Sequence, residues 1–163
     1  MKNISVTELS GYMIPLQIGS EFITIRNASY MPEAINPNSS GRFHVVGQPA
    51  YYLGSGNATT MLEKDLDPTD NLPSNLKQFS MSSGLYNALD LSRFINDHPE
   101  YEDFFYGING WTNSQELRNT CQSCDISGIY YDSIKNAGGK NLAIWPLLSS
   151  ELNSDFFQPA KTH

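Results

Sequence analysis

The hydrophobic pattern of this chain changes period along its length, short β-branched and aromatic runs giving way to helical spacing and back. Glu21-Phe22-Ile23-Thr24-Ile25-Arg26 predicts a strand whose end presents Arg26. Ala50-Tyr51-Tyr52-Leu53 predicts a second strand, which runs into a small-residue turn, Gly54-Ser55-Gly56. From about Asn57 the apolar positions Ala58, Met61, Leu62 and Leu66 recur every three to four residues, the spacing of one helix face, and Asp67-Pro68 begins the break. Leu76 to Met81 predicts a short strand, with a turn at Ser82-Ser83-Gly84. Asn87 reads as the cap of a helix that buries Leu91, Phe94 and Ile95 and ends before Pro99. The acidic, aromatic stretch Tyr101 to Tyr106 reads as a short helix or loop. Thr112-x-x-Gln115 has capping-box form and opens a polar helix that runs to about Cys124. Ile126 to Tyr131 and Asn141 to Leu147 predict two strands joined through Gly138-Gly139.

The remaining stretches are less regular. Residues 1–20 are mixed, and Pro15 suits an edge or a turn rather than a central strand. Met31 to Gly41 holds Pro32, Asn36, Pro37, Asn38, Ser39 and Ser40, which is loop chemistry. With no internal repeat and no dividing linker, the pattern predicts a single α+β domain over residues 1–163, a mixed β-sheet with flanking helices.

Composition narrows the function classes. A chain of 163 residues closes a core without staples, and nine Tyr with eight Phe supply bulk to it. Seventeen acidic against ten basic residues give a net charge of −7, which argues against a nucleic-acid partner, because phosphate-backbone binding needs clustered Lys and Arg. An acidic surface suits a basic protein partner or simple solubility. No apolar run of about 18 residues exists, so no membrane-spanning helix is expected, and Met1 to Ser5 shows no apolar signal segment. Cys121 and Cys124 form a lone C-x-x-C. A zinc site needs four ligands, and His44, His98 and His163 stand at no motif spacing, so no metal is expected and the pair reads as two reduced, partly buried thiols.

Candidate chemistry gathers between Gly41 and Glu63. A strand that ends in a Gly/Ser turn and re-enters as a helix places backbone N–H groups and side chains of opposite chemistry around one concavity. Arg42, beside Phe43, is either a surface cation or a fork that grips phosphate bidentately. Tyr51 and Tyr52 face opposite ways if extended, one toward the core and the other to the opposite face, and either both are packing residues or one of them is a ring open to a ligand. Glu63 is a carboxylate on a largely apolar helix face. Ser133 stands where a strand enters a loop, a place where serines commonly satisfy the backbone. His44 has no acid or nucleophile near it in sequence, so no catalytic triad is argued.

Two of these stretches together resemble a known family. Gly41-Arg42-Phe43, then Gly47-x-Pro49-Ala50-x-Tyr52-Leu53, then Ala58 and Glu63, resemble the core motif of RES domains. Gly128-Ile129-Tyr130-Tyr131-Asp132-Ser133-Ile134-Lys135, followed by Gly138-Gly139 and the run to Pro146, resembles that family's closing motif. The resemblance spans about Arg26 to Pro146, and this chain departs from it at three points. Asp132 stands where proline is usual, Lys135 where arginine is usual, and Asn27 where an aromatic often follows the upstream arginine, here Arg26.

The resemblance implies an ADP-ribosyltransferase-like fold and a toxin that degrades NAD by cleaving the nicotinamide–ribose bond, with inorganic phosphate or water as acceptor. It implies that Glu63 stabilises the sugar cation, that Arg42 and Arg26 clamp the pyrophosphate or the attacking phosphate, and that Tyr52 encloses the nicotinamide side. Phe43 and Lys135 fall with the binding residues, and Ser133 hydrogen-bonds the substrate. NAD is then a substrate rather than a cofactor. A cognate antitoxin or an immunity protein is the implied partner. The implied site of action is the cytoplasm, of the producing cell or of one reached through a secretion system. Transfer of ADP-ribose to a macromolecule is an alternative, and an inactive module that binds a nucleotide or a partner is another.

Overall fold

The computed structural model describes residues 4–18, 22–27, 40–81, 84–145 and 157–159. The described strands form one eight-stranded sheet in the order β1-β5-β6-β7-β3-β2-β4-β8. The strands are β1 (Met13–Ile18), β2 (Phe22–Asn27), β3 (Tyr51–Ser55), β4 (Leu76–Met81), β5 (Gly84–Asp90), β6 (Gly128–Asp132), β7 (Lys140–Ile144) and β8 (Phe157–Pro159). Neighbours run antiparallel except β5 and β6, which are parallel. A parallel pair needs a long crossover, and here it holds α3 (Leu91–Asp97), a 3-10 turn at Pro99–Tyr101, α4 (Glu102–Tyr106) and α5 (Gly110–Gln122). Two further helices, α1 (Val6–Ser10) and α2 (Gly56–Glu63), lie outside that connection. The expectation of a mixed sheet with flanking helices holds.

Register assigns the two faces. Tyr131 pairs with Asn141, which pairs with Gly54, and in the next row Ile129, Ala143 and Tyr52 are aligned. These residues share one face. Helices cover it: Leu9, Leu91, Phe94, Phe105, Leu117 and Cys121 pack with Ile129, Tyr131, Ala143 and Trp145 in the larger core cluster. The opposite face buries Phe22, Tyr51, Leu53, Ala88, Leu142 and Ile144. Tyr51 therefore belongs to the second core and Tyr52 to the helical side, as the alternation predicts.

Several local expectations are corrected by pairing that the sequence does not display. Asn87 caps nothing: it lies inside β5, opposite Pro15 of β1. The cap of α3 is Asp90, whose side chain accepts a hydrogen bond from the Arg93 N–H at 3.0 Å. Pro15 does sit on an edge strand. The mixed first twenty residues hold α1, closed by a capping box in which Ser5 and Glu8 exchange hydrogen bonds. Helix α5 starts at Gly110 rather than Thr112, and the chain there presses so closely on the Phe105 carbonyl that any Cβ would collide with it, which calls for glycine. Helix α2 stops at Glu63, and Leu66 follows its end. Most of the loop expected over 31–41 lies outside the described residues, as does the end of the last strand expected near Leu147.

Both cysteines are free, at and just beyond the end of α5. Burial pushes the Cys121 thiol far up, and burial together with the Asp125 charge raises Cys124. Because the thiolate is the reactive form, a raised pKa leaves both groups as thiols at neutral pH, with reactivity growing only as pH rises. Native protein should therefore react slowly with an aromatic disulfide reagent at Cys124 and not at Cys121, and denaturation should release both. Rapid labelling of both in the native state would contradict this placement. Among the described residues, no group of three His, Cys, Asp or Glu is placed to hold a metal ion.

Candidate functional site

Two loops and one helix end build the site on the helical face of the sheet. Helix α2 leaves β3 through Ser55, whose Oγ accepts a hydrogen bond from the Lys140 N–H at 2.9 Å and so ties the helix start to β7. Eight residues later the helix ends on Glu63, half-buried. Its Oε1 accepts hydrogen bonds from Ser133 Oγ at 2.5 Å and from Asn141 Nδ2 at 2.9 Å. Both donors are buried, Ser133 at the end of β6 and Asn141 on β7. Two donors on one oxygen fix the carboxylate's orientation, and among the described residues Oε2 receives no hydrogen bond.

Residues 133–139 form a compact loop that holds Ser133 in place. Ser133 N–H donates to Gly139 O at 3.0 Å and Gly139 N–H to Asn136 O at 2.9 Å. Asn136 N–H donates to Ser133 Oγ at 3.1 Å, and its Nδ2 donates to Thr59 Oγ1 of α2 at 2.8 Å. Gly139 sits so close to α2 that a Cβ would lie 2.5 Å from Thr59 Oγ1. Ser133 has one hydroxyl proton, and it is given to Glu63. The serine therefore helps to position the carboxylate. Lys135 is exposed on the outer side of this loop and pairs with Asp65 at 2.7 Å. Asp132 pairs with Lys140 across the end of the hairpin.

The second loop carries the arginine. Gly41 and His44 form an isolated bridge, so residues 41–44 make a tight turn. Tyr52 Oη accepts a hydrogen bond from Phe43 N–H at 2.8 Å and meets His44 Nδ1 at 2.7 Å. Arg42 is half-buried, donates from Nη1 to Phe105 O at 3.0 Å and lies 5.2 Å from the centre of the Tyr106 ring. Phe43 points the other way. It is fully buried, with its ring edge-on to Tyr131 at 5.0 Å, so it anchors the loop in the core and cannot touch a ligand. That corrects the expectation of Phe43 as a binding residue: in a tight turn, successive side chains diverge, and the phenyl ring has the larger apolar area to bury.

Tyr131 links the two loops. Burial pushes its phenol far up; Tyr52, Glu63 and Tyr106 act in the same direction, while Arg42 opposes them. One buried ring thus feels both the carboxylate and the guanidinium. Burial also pushes Tyr52 up to about 12, against the pull of the Phe43 N–H, Arg118 and Arg42, and Tyr106 up to about 12. All three phenols stay protonated at neutral pH, so none of them serves as a base there.

Arg42, Tyr52 and Glu63 all act electrostatically on Tyr131, and Ser133 is bonded to Glu63. Lys135 stands at the rim, and Arg26 lies on β2 opposite Lys77, its side chain outside the described residues. Sequence reasoning passed over Tyr131, Tyr106 and Asn141. For Asn141 a signal existed, a lone amide opening the apolar run Leu142-Ala143-Ile144-Trp145. A buried polar group needs a partner, and this one has Glu63.

The family model described as RES domain matches residues 21–160, most of the chain. The chain belongs to the RES domain family. Both motif stretches of this RES domain fall inside the match. Among solved structures, a chain of the M. tuberculosis MbcT-MbcA toxin-antitoxin complex is similar at 16% sequence identity, with a TM-score of 0.62 over 96% of this chain and 88% of that one. At that identity the likeness is one of fold, the ADP-ribosyltransferase-like α+β arrangement expected from the sequence. No curated protein matches the sequence. No helix among the described residues is long and apolar enough to cross a membrane.

Proposed function

We propose that this RES domain is an NAD-degrading toxin that cleaves the bond between nicotinamide and ribose. The observation that carries the reading is the Glu63 carboxylate, one oxygen held by Ser133 and Asn141 and the other not hydrogen-bonded among the described residues, in electrostatic range of the ring that also feels Arg42. As the glycosidic C–N bond breaks, its electron pair leaves on the nicotinamide nitrogen, and positive charge develops at the ribose C1′ and ring oxygen. A fixed anion beside that charge stabilises the transition state without reorganising. Glu63 Oε2 takes this place and accepts a ribose hydroxyl. Water or inorganic phosphate then bonds to C1′. Water loses a proton to solvent and yields ADP-ribose; phosphate yields its 1-phosphate. Arg42 holds a phosphate group, and Tyr52 encloses the nicotinamide side.

A domain that consumes NAD needs restraint in the cell that makes it, and a cognate antitoxin is the proposed partner. The similar solved structure is that of a toxin-antitoxin complex, which supports that choice over an immunity protein. Action in the cytoplasm, where NAD is held, belongs to the same reading. Incubating purified protein with NAD, with and without phosphate, and separating the products tests it. Nicotinamide with ADP-ribose is the expected product without phosphate, and ADP-ribose 1-phosphate in its presence would make the enzyme a phosphorylase. Intact NAD in both arms would overturn the proposal, and label retained on protein would point to transfer instead.

A further inference from the structure

The Arg42 loop is held by α5. Gln115 Nε2 donates to Gly41 O at 2.8 Å and to His44 O at 3.2 Å. One turn later on the same helix, Arg118 Nη1 donates to Phe43 O at 3.1 Å. Three carbonyls of a four-residue loop thus take donors from two side chains that approach from one helix.

Arg118 is an unusual residue to find there. It is 1% exposed, with its guanidinium 5.0 Å from the centre of the Trp145 ring, and among the described residues no carboxylate pairs with it and its Nε has no partner. Burial pulls it down to about 10. Burying a cation without an anion is costly, and an apolar side chain of similar volume would fill the same space at lower cost. Filling the core therefore does not account for Arg118. What only a guanidinium supplies is the grip on Phe43 O and a positive charge that, like that of Arg42, acts on Tyr52.

We propose that Gln115 and Arg118 are positioning residues: from α5 they lock the Gly41–His44 loop so that Arg42 stands beside Tyr106, ready for the phosphates of the substrate. This rests on the proposed activity, since it takes Arg42 as the group that meets NAD. A turn of four residues with one bridge of its own has little intrinsic rigidity, and displacement of a binding group by about 1 Å costs up to about 100-fold in rate. Among the described residues Arg42 donates one hydrogen bond, to Phe105 O, while Tyr52, Gln115 and Arg118 hold other groups of its loop.

The test is a pair of mutant cycles read in NAD kinetics. Gln115→Leu alone should raise KM for NAD about tenfold with kcat little changed, as expected for loss of uniform binding. In an Arg42→Ala background the same change should add less than about twofold, because a residue that acts through Arg42 has nothing left to position. Equal effects of Gln115→Leu in both backgrounds, or no effect on KM, would overturn the proposal; a merely structural loss would be additive. Arg118→Lys should retain more activity than Arg118→Met, and if both fail to fold, the Gln115 cycle decides alone. Hydrogen exchange at the Phe43 amide provides a readout without NAD. Faster exchange in Gln115→Leu supports the clamp even if the wild type leaves NAD intact, an outcome that defeats the activity alone, and unchanged exchange then defeats the clamp as well.

Discussion

Glu63→Gln is expected to lower NAD turnover by about 100- to 1,000-fold while the protein folds and melts as the wild type does. The amide keeps an oxygen that can accept from Ser133 and Asn141, so both buried donors remain satisfied and the stability change should stay within about 1 kcal/mol. What the substitution removes is the negative charge that the proposed reaction sets next to the sugar, where it matters only when the sugar becomes cationic. The signature is therefore a fall in kcat with KM nearly preserved. Steady-state kinetics beside a thermal melt makes the comparison, and equal kcat in the two proteins would end the assignment of Glu63 as the catalytic carboxylate. A large loss of stability would instead mean that Glu63 is chiefly a structural tie between α2, β6 and β7.

Phe43→Ala is expected to do the opposite. Removing a fully buried phenyl ring that packs on Tyr131 should cost about 3–5 kcal/mol of stability, which for a chain of this size lowers the melting temperature by roughly 6–20 °C. Were Phe43 a substrate contact, its loss would change KM and leave the melt in place. The two substitutions thus separate neighbouring motif positions by observable: Glu63 appears in turnover and Phe43 in the melting curve.

Where the sequence could be read, the reason is local. The run from Ala50 through Gly54-Ser55-Gly56 to Glu63 carries its strand, turn and helix signals within a few residues, and β3 and α2 form there. Glu63 was visible as a carboxylate on an apolar helix, and the motif supplied its role. Where the reading went astray, distant partners decided the outcome. Asn87 resembles a cap, yet β5 is placed between β1 and β6, and pairing on both sides overrides a single residue's preference. Gln115 fits a capping box with Thr112, but its amide is drawn to Gly41 and His44, far away in sequence. Phe43 stood next to the motif's cation, and adjacency in sequence gave no direction for its ring. Tyr131 sits between two loops that approach each other only once the sheet is assembled. Arg118, inside a polar helix, offered no local sign that it would be buried beneath the Arg42 loop.

The loop after β6 is fastened to the end of α2 in two chemically different ways. On the outside, Lys135 and Asp65 form an ion pair whose side chains are 44% and 83% exposed. On the inside, Asn136 bonds to Thr59, a neutral contact partly out of solvent. Mobile ions weaken an open ion pair but have little hold on a sheltered amide–hydroxyl bond. The outer latch loosens as ionic strength climbs, while the inner one keeps Ser133 seated against its carboxylate, so the geometry of the Glu63–Ser133 pair does not depend on the saltiness of the medium.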